Sequence, residues 1–458
     1  MADILSQRHQ GEQQVAGHVL DEWRFDPVHD RLPAQSAVVI VGGGIVGCAA
    51  AWYLARHGVP VLLLEKGRIG GEQSGRNWGW VRQQGRARVE LPLMMRSLDI
   101  WKSFTAETGE VTGFAQGGCL YLGRTVAELD ALCTWLETAR EAGLDTQRLD
   151  RAALARVLRD GGAWAGALYT ASDGRAEPHL ASPAFARAAV AAGARVVSHC
   201  AVRGLERVAG EWRDVVTEHG VVKAQSILVA AGAWSREFAR MLGIDLPQLR
   251  VRGTVARTAA APAFLDGCAW SDAVALRRRR DGGYTVAHGS AFEHFLEWDS
   301  LRLARMFFPA LRQEHGSIRM RLFPSASSQV GEPSRAQPPA TVFERERMLA
   351  PLPSAALLGE IRRALGKFFP ALTRVPIVET WAGMIETSPD VLPIISGAES
   401  NPGLAFATGF SGHGFGLGPA AGELAARMML GASTACELEP FRLSRFFDGT
   451  PIVPGPTI

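Results

Sequence analysis

Ala37-Val38-Val39-Ile40-Val41-Gly42-Gly43-Gly44-Ile45-Val46-Gly47 is the stretch on which the reading of the fold turns. Ala37 to Val41 is a continuous apolar, largely β-branched run, the pattern of a strand buried on both faces. Glycines follow, and Ile45 to His57 reads as a helix with Gly58 placed to end it in the left-handed conformation. Val61 to Glu65 is a second buried strand. The order β-turn-α-β fits one mononucleotide-binding unit, and Gly42, Gly44 and Gly47 meet the GxGxxG spacing. Gly42 permits a tight turn, Gly44 lets the backbone meet a pyrophosphate, and Gly47 lets the helix pack on the sheet. Phosphates then sit at a helix N-terminus, where N–H groups and the dipole favour negative charge. Glu65 closes the second strand, where a carboxylate accepts hydrogen bonds from both ribose hydroxyls and repels a 2′-phosphate. Dinucleotide binding follows, but FAD and NAD share this fingerprint.

Outward from this unit the chain is ordinary in bulk. Its 458 residues carry a formal net charge of +3, which gives no reason to expect nucleic acid. The length predicts two domains. The six cysteines are scattered without CxxC or metal-type spacing, and read as buried thiols of a reducing compartment. Residues 1–35 form a polar extension without an apolar h-region. No run approaches the roughly 18–20 apolar residues of a membrane span, so a soluble cytoplasmic protein is expected. Phe307-Phe308 and Phe368-Phe369 are expected to pack in the core.

Strands are expected at about 195–200 and 226–231, the second ending in Ala230-Ala231-Gly232-Ala233, where a cofactor can approach closely. Asp281-Gly282-Gly283 marks a hairpin between Ala273 to Arg280 and Tyr284 to Gly289. A solvated face is expected to take at least two of its four arginines, Arg277 to Arg280. Ser300 to Glu314 reads as one amphipathic helix and 324–340 as a loop. Helical and hairpin material therefore interrupts the α/β pattern twice.

The tail separates FAD from NAD. Gly403 to Thr408 reads as a strand, Gly409-Phe410-Ser411-Gly412-His413-Gly414-Phe415-Gly416-Leu417-Gly418 as a glycine-dense turn, and a helix follows from about Ala420. The N–H groups of such a turn suit a flat polar ring and a ribityl chain. Together with Val39 to Lys66, Ala230 to Ser235, and Trp381-Ala382-Gly383 with Pro389-Asp390-Val391-Leu392-Pro393-Ile394, the tail resembles the FAD-dependent D-amino acid oxidase (DAO) superfamily, which includes glycine oxidase, sarcosine oxidase and D-amino acid dehydrogenases. The likeness covers about residues 36–440.

The resemblance implies an α/β fold: a Rossmann-type FAD-binding domain (36–110, 175–245 and 375–458) with an interleaved α+β substrate domain (111–174 and 246–374) carrying a mostly antiparallel sheet. It implies that Gly42, Gly44, Gly47 and Glu65 bind the ADP half, with Ile45, Val46 and Lys66 also at the cofactor and Val202 on the adenine side. Ser74, Gly75, Arg76 and Asn77 would lie beside the flavin, with Ala231, Gly232 and Trp234 also at the cofactor. Gly383, Gly412, His413, Gly414 and Phe415 would reach the isoalloxazine, with Gly409 also at the cofactor.

Two positions depart from relatives. Where some attach flavin to cysteine, this chain reads Gly383-Met384-Ile385-Glu386, so non-covalent FAD is expected. Where monomeric sarcosine oxidases carry a lysine for the substrate carboxylate, it has Gly416. Arginine suits carboxylate through its two-pronged donor geometry, and Arg82 is the first candidate, ahead of Arg252 and Arg277. Trp80, with Trp78, is a candidate aromatic wall, His288 a candidate pocket residue, and His413 a shaper of the glycine turn. The expected chemistry is hydride transfer from a carbon bearing nitrogen to flavin N5, with dioxygen or a quinone as acceptor and no metal. An NAD-dependent dehydrogenase, or an FAD-binding subunit of a larger amine or hydroxy-acid dehydrogenase, are the alternatives.

Overall fold

The computed structural model describes residues 31–160, 162–322, 340–398, 401–432 and 435–456. The 1–30 part of the polar extension and most of the 324–340 loop therefore lie outside the described residues. The elements that frame the site are, in chain order, β1 (Gln35–Val41), α1 (Ile45–Arg56), β2 (Val61–Leu64), the one-turn helix α2 (Gln73–Arg76), β3 (Gly220–Val229), β4 (Leu249–Thr258), β5 (Ile377–Thr387), β6 (Leu404–Thr408) and α3 (Gly414–Met429).

β1 lies between β2 and β3 and runs parallel to both, with Val38 opposite Val61 on one side and Ser226 on the other. β6 adds in parallel to β3, and Arg195–Val197 adds in parallel to β2. Because these strands share a direction, their C-terminal ends open at one edge, where open α/β sheets bind ligands. β3 begins at Gly220, earlier than its apolar run suggests, because its first half pairs with Glu211–Thr217 in a hairpin. That half alternates exposed and buried residues, so only its second half carries the continuous apolar run of a strand buried on both faces.

α1, α3 and the helix Pro178–Ala191 cover one face of the sheet with a core that includes Trp52, Leu54, Phe104 and Phe185. Burying a side chain such as Phe185 stabilises by about 1.5–3 kcal/mol. α3 starts at Gly414, six residues ahead of the expected Ala420, so half of the glycine-dense segment is helix. The reason is packing. A methyl on Gly418 would stand 2.6 Å from Ile45, and one on Gly422 2.7 Å from the Val46 carbonyl oxygen, so glycine allows α3 to lie close on α1.

A second, ten-stranded sheet holds β4 and β5, antiparallel from Leu249 opposite Thr387 to Thr258 opposite Ile377. Its pairings are antiparallel except for Cys119–Gly123 with Cys268–Trp270 and Phe292–Phe295 with Ile318–Arg321, which are parallel. The expected hairpin is present as Ala275–Arg278 and Tyr284–Ala287, but its arginines are not a solvated face. Arg277 is 1% exposed and pairs with Glu177, Arg279 is buried and pairs with Asp281, and Arg278 is half-buried; Arg280 alone is exposed. A buried guanidinium is tolerated because a carboxylate neutralises it in place.

The stretch 300–314 is two helices, Trp298–Arg302 and Ala304–Gln313, broken at Leu303. Phe308 is 63% exposed, contrary to the expectation of core packing, whereas Phe369 is fully buried. Cys48, Cys119, Cys200 and Cys268 are buried free thiols and Cys133 is half-buried. No described helix is long and apolar enough to cross a membrane, and no described His, Cys, Asp and Glu cluster could hold a metal ion.

Candidate functional site

A cavity of about 660 Å³ opens at the C-terminal edge of the parallel strands. The first glycine turn forms one end of it. Gly42 has φ of 114°, and a methyl there would stand 2.4 Å from the Ala230 carbonyl oxygen. Gly47 does not line the cavity; a methyl there would meet the Gly42 carbonyl oxygen at 2.1 Å, which makes it a packing residue for the turn. Gly44 caps α1 without a side chain, leaving the helix N-terminus to face the cavity. Ser74 Oγ accepts the Ile45 N–H at 2.9 Å and so ties α2 to this turn. Glu65 accepts from Gly43 N–H at 2.8 Å and Gly67 N–H at 2.7 Å. Burial raises its carboxyl above the ordinary range, and those two donors work against the rise. Lys66 lies over the Trp234 ring at 3.9 Å and pairs with Glu72, which also accepts from Trp234 Nε1. Val202 and Cys200 complete this end.

The middle of the cavity is built by the 73–86 segment. Arg76 is buried and donates to the Gly71 and Ala382 carbonyls, with Nη2 left unpartnered among the described residues. Asn77 ties the loop together, donating to Gln73 and Ser74 carbonyls and accepting from Gly79 N–H. Gly75 sits in α2 outside the lining. Trp78 meets Trp80 edge-on and stacks on Phe292 at 6.4 Å, giving an aromatic wall, and Trp80 Nε1 is buried without a partner among the described residues. Arg82 lines the cavity, is 3% exposed, and forms no ion pair among the described residues. It donates to the Gln84 carbonyl and lies by the Tyr121 and Trp80 rings. Arg86 lines the cavity four residues on; burial and then Arg82 push its guanidinium down to about 9.

The second glycine turn forms the other end. β6 leads to Gly409 with φ of 70°, Ser411 with 52° and Gly412 with 86°, and α3 begins immediately after His413. Gly409 packs on Ile394 and is outside the lining, while Gly412, His413, Gly414 and Phe415 are in it. His413 Nδ1 meets the fully buried Glu90 at 3.0 Å. Burial lowers the His413 value; for Glu90 burial acts upward, but His413 and Arg86 outweigh it and hold the carboxyl down. The two glycine turns thus line one cavity.

Among the other expected residues, Gly42, Gly44, Ile45, Val46, Glu65, Lys66, Ser74, Arg76, Asn77, Val202, Ala231, Gly232, Trp234 and Gly383 line it as well. His288 does not: its Nδ1 accepts from Ser290 and Ala291 N–H, and its Nε2 faces Glu360 at 3.4 Å. Arg252 and Arg277 are taken by Glu293 and Glu177. Sequence reasoning missed Arg86 and Glu386, which lie in quoted or adjoining segments but carry no motif; only the folded chain turns them inward.

The lining suits a dinucleotide with a flat ring. One end is a backbone cradle in which a methyl at Gly42 or Gly43 would meet atoms at 2.4 or 2.5 Å. The middle holds unpartnered buried donors on Arg76 and Trp80. The other end is backbone N–H at a helix start.

Comparison with known proteins agrees. A family model described as DAO, FAD dependent oxidoreductase, matches residues 37–428. Mouse (Mus musculus) sarcosine dehydrogenase is 31% identical over 232 residues, covering 47% of this chain and 24% of the relative. The match thus spans about a quarter of that relative's length. Glycine oxidase of Bacillus licheniformis is 24% identical over 425 residues, 89% of this chain and 96% of the relative. The solved structure of L-amino acid deaminase from Proteus myxofaciens in complex with anthranilate superposes with a TM-score of 0.84 at 29% identity, covering 92% of this chain and 96% of that one.

Proposed function

Because the chain belongs to the FAD-dependent oxidoreductase family matched over residues 37–428, we propose that it oxidises the C–N bond of a small amino acid or secondary amine. The observation that carries this reading is the meeting in one cavity of two glycine-rich turns and Arg82, which forms no ion pair among the described residues. FAD, when bound, supplies the redox chemistry by accepting hydride at N5 from the carbon bearing nitrogen, leaving an imine that hydrolyses.

The chain's own residues do the rest. The Gly42 to Gly44 turn and the α1 N-terminus hold the pyrophosphate, and Glu65 takes the ribose hydroxyls on lone pairs its two backbone donors leave open. N–H groups around Gly412 to Gly414 hold the flavin end. Arg82 pairs with the substrate carboxylate, which fixes the reacting C–H in one orientation. Trp78, Trp80 and Phe292 exclude water from that position. His413 is committed to Glu90 and shapes the turn, so the amine reacts in its neutral form without a strong base. With no cysteine in 383–386 the cofactor is held without a covalent bond. Electrons leave to dioxygen or a quinone, and the buried free thiols fit a cytoplasmic setting.

The test is anaerobic mixing of the purified yellow protein with a panel of N-alkyl amino acids, amino acids and amines. Loss of the flavin's visible absorbance with one class is expected; a protein that never bleaches, or that carries no flavin, sinks the reading.

A further inference from the structure

Glu386 is 4% exposed, lines the cavity, and has no cation to neutralise it among the described residues. Its Oε2 has no hydrogen-bond partner among the described residues, while the carboxyl otherwise meets the Phe410 N–H at 3.4 Å, the Gln73 side chain and its own backbone N–H, all neutral groups. A buried carboxylate left this way costs several kcal/mol, so the group holds its proton or awaits a partner. The surrounding charges do not supply one. At the start of α2, Glu72 is engaged by Lys66 and Trp234, and Arg76 donates to two backbone carbonyls. Across the sheet on β4, Arg250 pairs with Glu237 at 3.1 Å and Glu297 at 3.5 Å, and Arg252 with Glu293. At the second glycine turn, His413 is held by Glu90. Burial, with Glu72 adding to it, pushes the Glu386 carboxyl up to about 7.

We propose that Glu386 is a cofactor-positioning residue: its protonated carboxyl donates a hydrogen bond from Oε2 to bound FAD, so that cofactor affinity is coupled to a proton. A protonated carboxyl is a donor, and FAD presents acceptors on its ring, ribityl chain and phosphates. FAD also brings negative charge, which favours the protonated form further. The linkage has one sign. FAD binds the protonated state, so affinity is full below the free-state value and falls as pH rises through it. The inference rests on FAD binding alone, so failure of amine oxidation would leave it standing.

The full-length holoenzyme is dialysed against a series of buffers from about pH 6 to about pH 9, and the FAD dissociation constant is read at each. For the unaltered chain it should rise by up to about tenfold per pH unit above about pH 7, the slope of a single proton. Glu386→Gln, which keeps the shape, and Glu386→Thr, a smaller neutral variant should the first misfold, both lose that slope. The visible spectrum of the bound flavin gives a second reading: its pH-dependent shift disappears in both variants. A flat curve for the unaltered chain overturns the proposal without any variant. So do equal slopes in all three proteins, or a pH dependence that appears only in the KM for an amine.

Discussion

The two glycine-rich turns look alike in sequence but are built on different constraints. In the first, added methyl groups at Gly42 and Gly47 would meet backbone carbonyl oxygens at 2.4 and 2.1 Å, so those two glycines are demanded by contact. In the second, a methyl on Gly412 would find its nearest atom at 3.9 Å and one on Gly409 at 3.3 Å. There the demand comes from the backbone, since φ is 86° at Gly412 and 70° at Gly409. One turn is a close-fitting cradle, and the other is a bend that leaves space. A pyrophosphate needs the first and a broad ring needs the second, which makes the pair more specific than either alone.

The comparison can be broken most severely at Gly47. Gly47→Val should cost about 3 kcal/mol through overpacking, lowering the melting temperature and leaving protein without yellow colour. Arg82→Ala tests what the open side is for. The kcat/KM for an acidic amine should fall roughly hundredfold, about 3 kcal/mol. An analogue lacking the carboxylate should change by less than about threefold, and equal losses for both would place the carboxylate elsewhere. Gly412→Ala sharpens the contrast, because only backbone strain is introduced. A loss of about 1 kcal/mol in stability is expected, with flavin retained. A loss as large as that at Gly47 would mean the second turn is equally tight.

The smallest effect concerns pH. Burial lowers the His413 value below its ordinary 6.5, so the unfolded chain takes up a proton there before the folded one does. Stability from this site is therefore present above about 6.5 and is lost as pH falls through the lowered value. Denaturant unfolding should show a weaker protein at about pH 5.5 than at pH 7, and a smaller difference in His413→Gln. An unchanged difference would remove His413 from the account.

What could be read beforehand follows from how local each signal is. Val38 to Gly47 declares a strand, turn and helix within one short window, and glycine spacing ties the turn to phosphate chemistry. The 409–418 segment was legible as a feature but not in its geometry. Glycines at 414, 416 and 418 suggest loop, yet they serve a close approach of α3 to α1 that only long-range packing reveals. Arg277 shows the same limit. Four consecutive arginines on a strand suggest solvent until Glu177, a hundred residues earlier in the chain, is brought against them. Arg82 could be named beforehand because it shares a loop with the expected flavin contacts Ser74 to Asn77. Arg86 and Glu386 could not, because their interest lies in burial and in the charges set beside them, which are properties of three-dimensional surroundings.

Four of the tryptophans, Trp78, Trp80, Trp234 and Trp270, border the cavity, whereas Trp298 stands 86% exposed on the short helix Trp298–Arg302. Flavins absorb where indoles emit, so the chain carries a built-in optical gauge of its own loading. Emission from the cavity indoles should dim as cofactor enters, a reading that needs no substrate.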